Sequence, residues 1–258
     1  MKIALCQTAI LWEKKEENLK KAETWIAKAK KDGAELICFP EMSFTGFSMH
    51  TERTAERRKE TVRAVSRMAE EAGLAVGFGW VEQGEQKARN HYTVVGRRGE
   101  LLVDYVKLHP FSYSGEDLRF EAGQRLCLCR VGELRIGIFI CYDLRFPEPF
   151  QALADRSDLL LVAANWPKGR REHWKCLLRA RAIECQAYVA GVNCCGEQEG
   201  LAYSGDSCIF APDGRQMAGF QAGEGLLTAE IPGDADLFRK EFPVRQDRRR
   251  ELYRLWYQ

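Results

Sequence analysis

The sequence has little excess of charge of either sign: 39 basic and 37 acidic residues leave a formal charge of +2 over 258 residues. That balance offers no electrostatic footprint for nucleic acid, which demands a clearly basic surface. No run approaches ~18 apolar residues, so no segment reads as a membrane span. The opening MKIALCQTAILWEKK lacks the charged start, long apolar stretch and small-residue cleavage site of a secretory signal. Ten cysteines are present, but the spacings Cys127/Cys129, Cys194/Cys195 and Cys176/Cys185 make no paired C-x-x-C knuckles, which argues against structural zinc. A chain of this size without a signal is expected to keep its thiols reduced, in the cytoplasm. Neither H-E-x-x-H, a Walker A loop nor a G-x-G-x-x-G turn occurs, so those metal, phosphate and dinucleotide chemistries have no carrier. Internal repeats, low-complexity linkers and composition breaks are also missing. The expectation is one domain, residues 1–258, acting on a small molecule without metal or cofactor.

What is present is a hydrophobic fraction of 45%, ample for a core, arranged in alternating periods. Lys2 to Ala9 reads as a buried strand. Leu19, Ala22, Trp25, Ile26 and Ala29 then follow at helical spacing, with Gly33 as the stop. Leu36 to Phe39 and Ala75 to Val81 read as strands, with the charged stretch Thr51 to Glu71 between them as one surface helix. Tyr92 to Val95 and Leu101 to Val106 flank Gly96-Arg97-Arg98-Gly99 as a hairpin. After a turn-rich loop, Ser112 to Gly123, come strands at Leu134 to Ile140, Leu159 to Ala164 and Tyr188 to Val192. A helix start at Pro147 and a helix over Arg170 to Gln186 separate them. Cys208 to Phe210 and Leu226 to Ile231 read as closing strands, and Arg245 to Arg250 as a solvated basic face. This is an α/β pattern, with helices covering a mixed sheet or a pair of sheets.

Three polar residues stand where apolar strands stop: Glu41 after LICFP, Lys107 after LLVDYV and Cys141 after RIGIFI. Side chains at the carboxyl ends of separate strands can converge. Each alone is ordinary, but together they are chemically complementary. An ammonium favours the thiolate and receives a tetrahedral oxyanion. A carboxylate takes the thiol proton and later activates water. The backbone N–H of Tyr142, just after the cysteine, is a second oxyanion donor, and CYDLRFP has the form of a strand-to-helix elbow.

These segments, FPEMSFTGF (39–47), YVKLHPF (105–111) and CYDLRFPE (141–148), resemble the nitrilase superfamily of carbon–nitrogen hydrolases. The resemblance runs from KIALCQ (2–7) to FPVRQDRR (242–249) and implies a four-layer αββα sandwich. It assigns Glu41, Lys107 and Cys141 to the family's Glu-Lys-Cys triad. Glu116, in the loop after the lysine, is the best match to a second glutamate that holds the lysine, with Asp117 and Glu121 as neighbours in competition.

PEMSFTGFSM (40–49), NWPKGRREHWKCLLRARAIECQAYVAGVN (165–193) and YSGDSCIFAPDGR (203–215) are most similar to the omega-amidase branch. That branch implies 2-oxoglutaramate or 2-oxosuccinamate as substrate. N-carbamoyl amino acid amidohydrolase, aliphatic amidase, nitrilase and an inactive binding scaffold remain open. A distal carboxylate calls for an arginine fork: Arg145 first, with Arg170 and Arg171 behind it, and pairing of Arg145 with Asp143 or Glu148 as the competing use. Phe44, Phe47, Tyr142 and Trp166 are expected as pocket walls, and His109 as a wall or turn residue. The family also implies a homodimer or higher homo-oligomer, with the apolar stripe Trp174, Leu177, Leu178 and Ala182 on one possible pairing helix.

Overall fold

The computed structural model describes residues 1–220 and 222–256. β1 (Lys2–Gln7) and β2 (Leu36–Cys38) are almost wholly buried, as strands covered on both faces must be. Between them α1 (Lys15–Lys31) buries Leu19, Ala22, Ile26 and Ala29 along one face. Glu16 and Glu17 open it and Lys28, Lys30 and Lys31 close it, complementing the helix dipole. The chain continues through α2 (Thr51–Thr54), α3 (Glu60–Ala72), β3 (Ala75–Gln83), β4 (Ala88–Val95) and β5 (Leu101–Val106). Then come α4 (Glu116–Arg119), β6 (Leu128–Val131), β7 (Leu134–Ile140), α5 (Pro147–Leu153), β8 (Leu159–Ala164), α6 (Arg171–Cys185) and β9 (Tyr188–Asn193). A small hairpin, β10 (Cys195–Gln198) and β11 (Leu201–Ser204), precedes β12 (Cys208–Phe210), β13 (Gln216–Gly219) and β14 (Gly225–Glu230). Helices α7 (Ala235–Glu241) and α8 (Arg250–Trp256) follow.

Two six-stranded mixed sheets result, ordered β14-β1-β2-β3-β4-β5 and β13-β12-β9-β8-β7-β6. Each has a parallel trio at its centre, β1-β2-β3 and β7-β8-β9, with antiparallel strands at its margins. Ile3, Leu5, Tyr92, Ile136, Ile138, Leu161 and Ala190 belong to the core between the two sheets. On the outside, α1 and α3 cover the first sheet through Ile26, Val65 and Ala69, and α5 and α6 cover the second through Phe150, Trp174 and Leu178. This is the expected αββα sandwich.

Three local expectations are corrected. The helix over Thr51 to Glu71 is split into α2 and α3, because Glu56 leaves the helical path. Its N–H donates to the Val81 carbonyl (3.0 Å) and its carbonyl accepts from Gln83 (2.9 Å), a short strand bridge beside β3. Its carboxylate then accepts from the Thr61 N–H and hydroxyl, fixing the start of α3. Arg245 is buried rather than solvated; it donates to Asp155, to the Gln151 side chain and to the Glu184 carbonyl, tying the C-terminal segment to α5 and α6. Of the stripe Trp174, Leu177, Leu178 and Ala182, all but Leu177 are fully buried against their own sheet and Leu177 is half-buried on the same cluster, so packing accounts for the stripe and it is not free for pairing.

Candidate active site

The sheets align the ends of their parallel strands, and the chemistry-bearing residues collect there. Glu41 follows β2, Lys107 follows β5 and Cys141 follows β7 directly. The Lys107 ammonium donates to Glu41 Oε1 at 2.8 Å and to Glu116 Oε2 at 2.8 Å, and all three side chains are sealed from solvent. Glu116 is therefore the carboxylate that holds the lysine. Asp117 is exposed, and Glu121 is occupied by Arg89 at 2.9 Å. The second Glu41 oxygen accepts the Asn165 N–H at 3.0 Å, and the Asn165 amide donates to the Glu41 carbonyl at 2.6 Å.

Cys141 turns the chain at φ +45°, a left-handed conformation that swings its side chain out of the strand direction. Asp143, fully buried, fixes this elbow. It accepts from the Ile140 N–H (2.9 Å), the Tyr105 hydroxyl (2.8 Å) and the His109 N–H (3.0 Å), and its carboxylate pairs with His109 Nδ1 (2.8 Å). His109, stacked on Phe146 at 4.0 Å, is thus a brace of the elbow. The Cys141 sulfur lies 3.8 Å from the Asn165 carbonyl.

The electrostatics differ from the sequence expectation. Burial would lower the Lys107 pKa, but the charges of Glu116 and Glu41 outweigh it and hold the ammonium well above its usual range. Burial, and then the Glu41 charge, push the Cys141 thiol well above its ordinary value, while Lys107 pulls it down less effectively. Burial is the larger cause, and the Lys107 ammonium that opposes it is already shared between two carboxylates.

A cavity of about 260 Å³ opens over this cluster. Phe47, Lys107, Cys141, Tyr142, Arg145 and Trp166 line it, with Phe111, Tyr113, Asn165, Arg170, Leu201 and Tyr203. Phe44 does not; it packs between the first sheet and its helices. Arg145 lies 4.8 Å from the Trp166 ring and 5.9 Å from that of Tyr142, and its nearest polar partner is the His173 ring at 3.4 Å. It pairs with neither Asp143 nor Glu148, nor with any carboxylate among the described residues. Arg170 lies over Phe111 at 5.5 Å. Arg171 is withdrawn from the cavity by a two-point pair with Asp206 at 2.6 and 3.0 Å.

Sequence reasoning missed Asn165, Gln198 and Asn90. Asn165 carried the same mark as the others, a polar residue directly after an apolar strand. Gln198 links the β10–β11 hairpin to Asn165 Oδ1 at 3.1 Å and accepts the Phe47 N–H at 3.2 Å; its polar setting gave no mark. Among the described residues no group of three or more metal-ligating side chains converges, and no helix is long and apolar enough to cross a membrane.

A family model for carbon–nitrogen hydrolases matches residues 2–240. The chain is 32% identical to a 2-oxoglutaramate amidase from Bacillus subtilis, over 97% of this chain and 98% of that protein. It is 33% identical to the omega-amidase YafV of Escherichia coli, over 99% of both. Among solved structures it superposes with a TM-score of 0.90 on a CN-hydrolase superfamily protein from Xanthomonas campestris that carries an arsenic adduct in its active site, at 29% identity over 96% of this chain and 97% of that one. An amidase from Nesterenkonia sp. AN1 superposes at 0.89, with 28% identity over 99% of both chains.

Proposed function

The chain belongs to the carbon–nitrogen hydrolase family and hydrolyses amide C–N bonds; from that premise we propose that it is an omega-amidase, cleaving the terminal amide of 2-oxoglutaramate or 2-oxosuccinamate. Cys141 is the nucleophile in this reading. As its sulfur attacks the amide carbon, Glu41 takes the thiol proton, and the carbonyl electrons move onto oxygen. Lys107 and the Tyr142 N–H receive that oxyanion. Glu41 then gives the proton to the leaving nitrogen, ammonia departs, and a thioester remains. Water, deprotonated by Glu41, releases the dicarboxylate and restores the thiol. Glu116 holds Lys107 in place throughout. The raised thiol pKa fits this order of events, since the proton leaves only when the carbon is attacked.

One observation carries the substrate assignment: two guanidiniums, Arg145 and Arg170, line the same small cavity as the sulfur, with aromatic neighbours and no carboxylate partner among the described residues. A half-buried arginine without a carboxylate partner favours an anionic group on the substrate. The remaining walls, Phe47, Tyr142 and Trp166, fit a short carbon chain. An ammonia-release screen over small amides, carbamoyl amino acids and nitriles tests the assignment. The omega-amides of four- and five-carbon 2-oxo dicarboxylic acids should outperform neutral amides and nitriles. Arg145→Met should lower kcat/KM for acidic amides by about 10–100-fold and leave neutral amides of equal size nearly unchanged. Equal impairment on both substrate types would return Arg145 to a packing role.

The same reading makes residues 1–258 one catalytic domain working in the cytoplasm, in keeping with ten free thiols. It also takes the protein to be a homodimer or larger homo-oligomer. With the inner stripe of α6 spent, support comes from Phe242, Val244, Leu255 and Trp256, apolar side chains left exposed along the C-terminal segment. Light scattering at micromolar concentration should give at least twice the chain mass; a monomer there removes the claim without touching the chemistry.

A further inference from the structure

Amide hydrolysis by Cys141, Glu41 and Lys107 leaves Asn90 without a role, although its side chain touches both buried carboxylates. Asn90, Tyr92 and Val94 alternate along β4 onto one face, and the latter two belong to the core between the sheets. The Lys107 N–H donates to the Asn90 carbonyl at 2.9 Å, so the two residues are locked side by side on neighbouring strands. From there the Asn90 amide nitrogen donates to Glu41 Oε1 at 2.9 Å and to Glu116 Oε1 at 3.0 Å. The Lys107 ammonium reaches the same two oxygens at 2.8 and 3.1 Å. Two donors and two acceptors thus close a ring, with solvent excluded.

The ring is electrostatically short of cation. Two carboxylates share one ammonium, and like charges at this range drive one of them to bind a proton. A neutral NH₂ group donating to both opposes that without adding charge. The amide must face the ring nitrogen-first, because an amide oxygen there would repel both carboxylates. Its own oxygen is then left buried with no hydrogen-bond partner among the described residues, a cost borne for the sake of the nitrogen end.

We propose that Asn90 is a positioning residue that keeps Glu41 and Glu116 ionised together, so that Glu41 is free to take the thiol proton while Glu116 keeps Lys107 aimed at the oxyanion. The inference rests on Glu41 being the base. The titratable groups facing Glu41 are Lys107 from the end of β5, Glu116 from α4, Cys141 from the elbow, Cys194 after β9 and Tyr203 on β11. Burial holds both Cys194 and Tyr203 in their neutral forms, so neither adds charge beside the two carboxylates.

The test is the pH profile of kcat/KM, measured on whichever amide the wild-type protein turns over best, so that it does not depend on the substrate assignment. Asn90→Ala should move the acid limb upward by about one pH unit, and lower kcat by about 10–100-fold with KM changed less than about threefold. Asn90→Asp keeps the shape and adds a third carboxyl, and should move the limb upward at least as far. A merely structural asparagine would lower Tm or the titratable fraction of active sites and leave the limb in place. An unmoved limb in the folded Asn90→Asp protein overturns the inference, and so does kcat near wild type in Asn90→Ala. Infrared spectroscopy of the wild-type protein gives an arm that needs no Asn90 variant. At about pH 8 no protonated buried carboxyl band should exist that Glu41→Gln or Glu116→Gln removes, and finding one overturns the proposal. Glu41→Gln with substantial turnover overturns both this inference and the assignment of the base, whereas failure of the Asn90 arms with Glu41→Gln inactive overturns this inference alone.

Discussion

A side chain at φ +45° occupies a region that residues other than glycine enter at a cost, and at Cys141 that cost sets the sulfur on the floor of a cavity instead of in the sheet. Asp143, with four hydrogen bonds to three residues, over-determines the turn. The alternative nucleophiles are poorly placed: Cys194 is fully buried, its thiol pushed well up by burial, and the Cys195 thiol is pushed up to about 11 by the same cause. Cys141→Ala should therefore lower amide turnover by about 10⁴-fold or more, with a circular dichroism spectrum and Tm close to the parent's. Alanine still fits the turn as well as cysteine does, so no large structural loss accompanies the change. Residual activity above a few per cent would end the covalent mechanism. Glu41, Lys107 and Cys141 were legible in the sequence because each interrupts an apolar run, a mark that needs no knowledge of register. Asn90 was not, since RNHY reads as polar strand edge and only the pairing of β4 with β5 brings it beside Lys107.

Elements were legible where burial on both faces or strict period dominated. Leu101–Val106, Leu134–Ile140, Leu159–Ala164 and Cys208–Phe210 have the bounds that their hydrophobic runs suggest. The β10–β11 hairpin was not, because CGEQ and LAYS carry no sustained alternation; Leu201 and Tyr203 nonetheless bring it to the cavity wall. The split at Glu56 shows tertiary pairing overriding helical period. One element contact bears directly on the chemistry. A Cβ at Gly79 on β3 would come within 2.3 Å of the Met42 backbone nitrogen and 2.8 Å of the Glu41 carbonyl carbon. The Gly79 N–H and carbonyl also bond Ser43, so strand and loop approach as closely as backbones can. Gly79→Ala should cost about 1–3 kcal/mol of stability from overpacking against backbone. Because the atoms displaced form the Glu41–Met42 peptide and so carry Glu41 with them, kcat should fall by at least about tenfold while KM moves little. Urea denaturation and steady-state kinetics check the two parts. A folded variant with wild-type kcat would mean that the loop yields without carrying the carboxylate with it.

Across the whole molecule the two ends of the sheets do different work. Glu41, Lys107, Cys141 and Asn165 stand beyond the carboxyl ends of their strands, where buried charges are held for chemistry. At the opposite ends, an ion pair and backbone hydrogen bonds tie β7, β8 and β9 together. Asp158 accepts from the Arg135 N–H (2.9 Å) and from two guanidinium nitrogens (3.0 and 2.7 Å), while its own carbonyl accepts the Tyr188 N–H (2.9 Å). Arg135 reaches on to Asp236 on α7 at 2.7 Å. Burial alone would raise the Asp158 carboxyl pKa, but the Arg135 hydrogen bonds and charge prevail and hold it below the usual carboxylate range. A depressed folded-state pKa contributes stability that is fully present above the unfolded value of about 4 and is lost as pH falls through the folded value. Asp158→Asn should accordingly destabilise the protein at pH ~7, and the gap in urea midpoint between variant and parent should close as pH falls below about 4. Paired urea titrations at the two pH values measure this. A gap of unchanged width would assign the loss to broken geometry instead of to the charge, and the acid sensitivity of this end of the molecule would then have to lie with Asp155, whose pair with Arg245 depresses its pKa in the same direction.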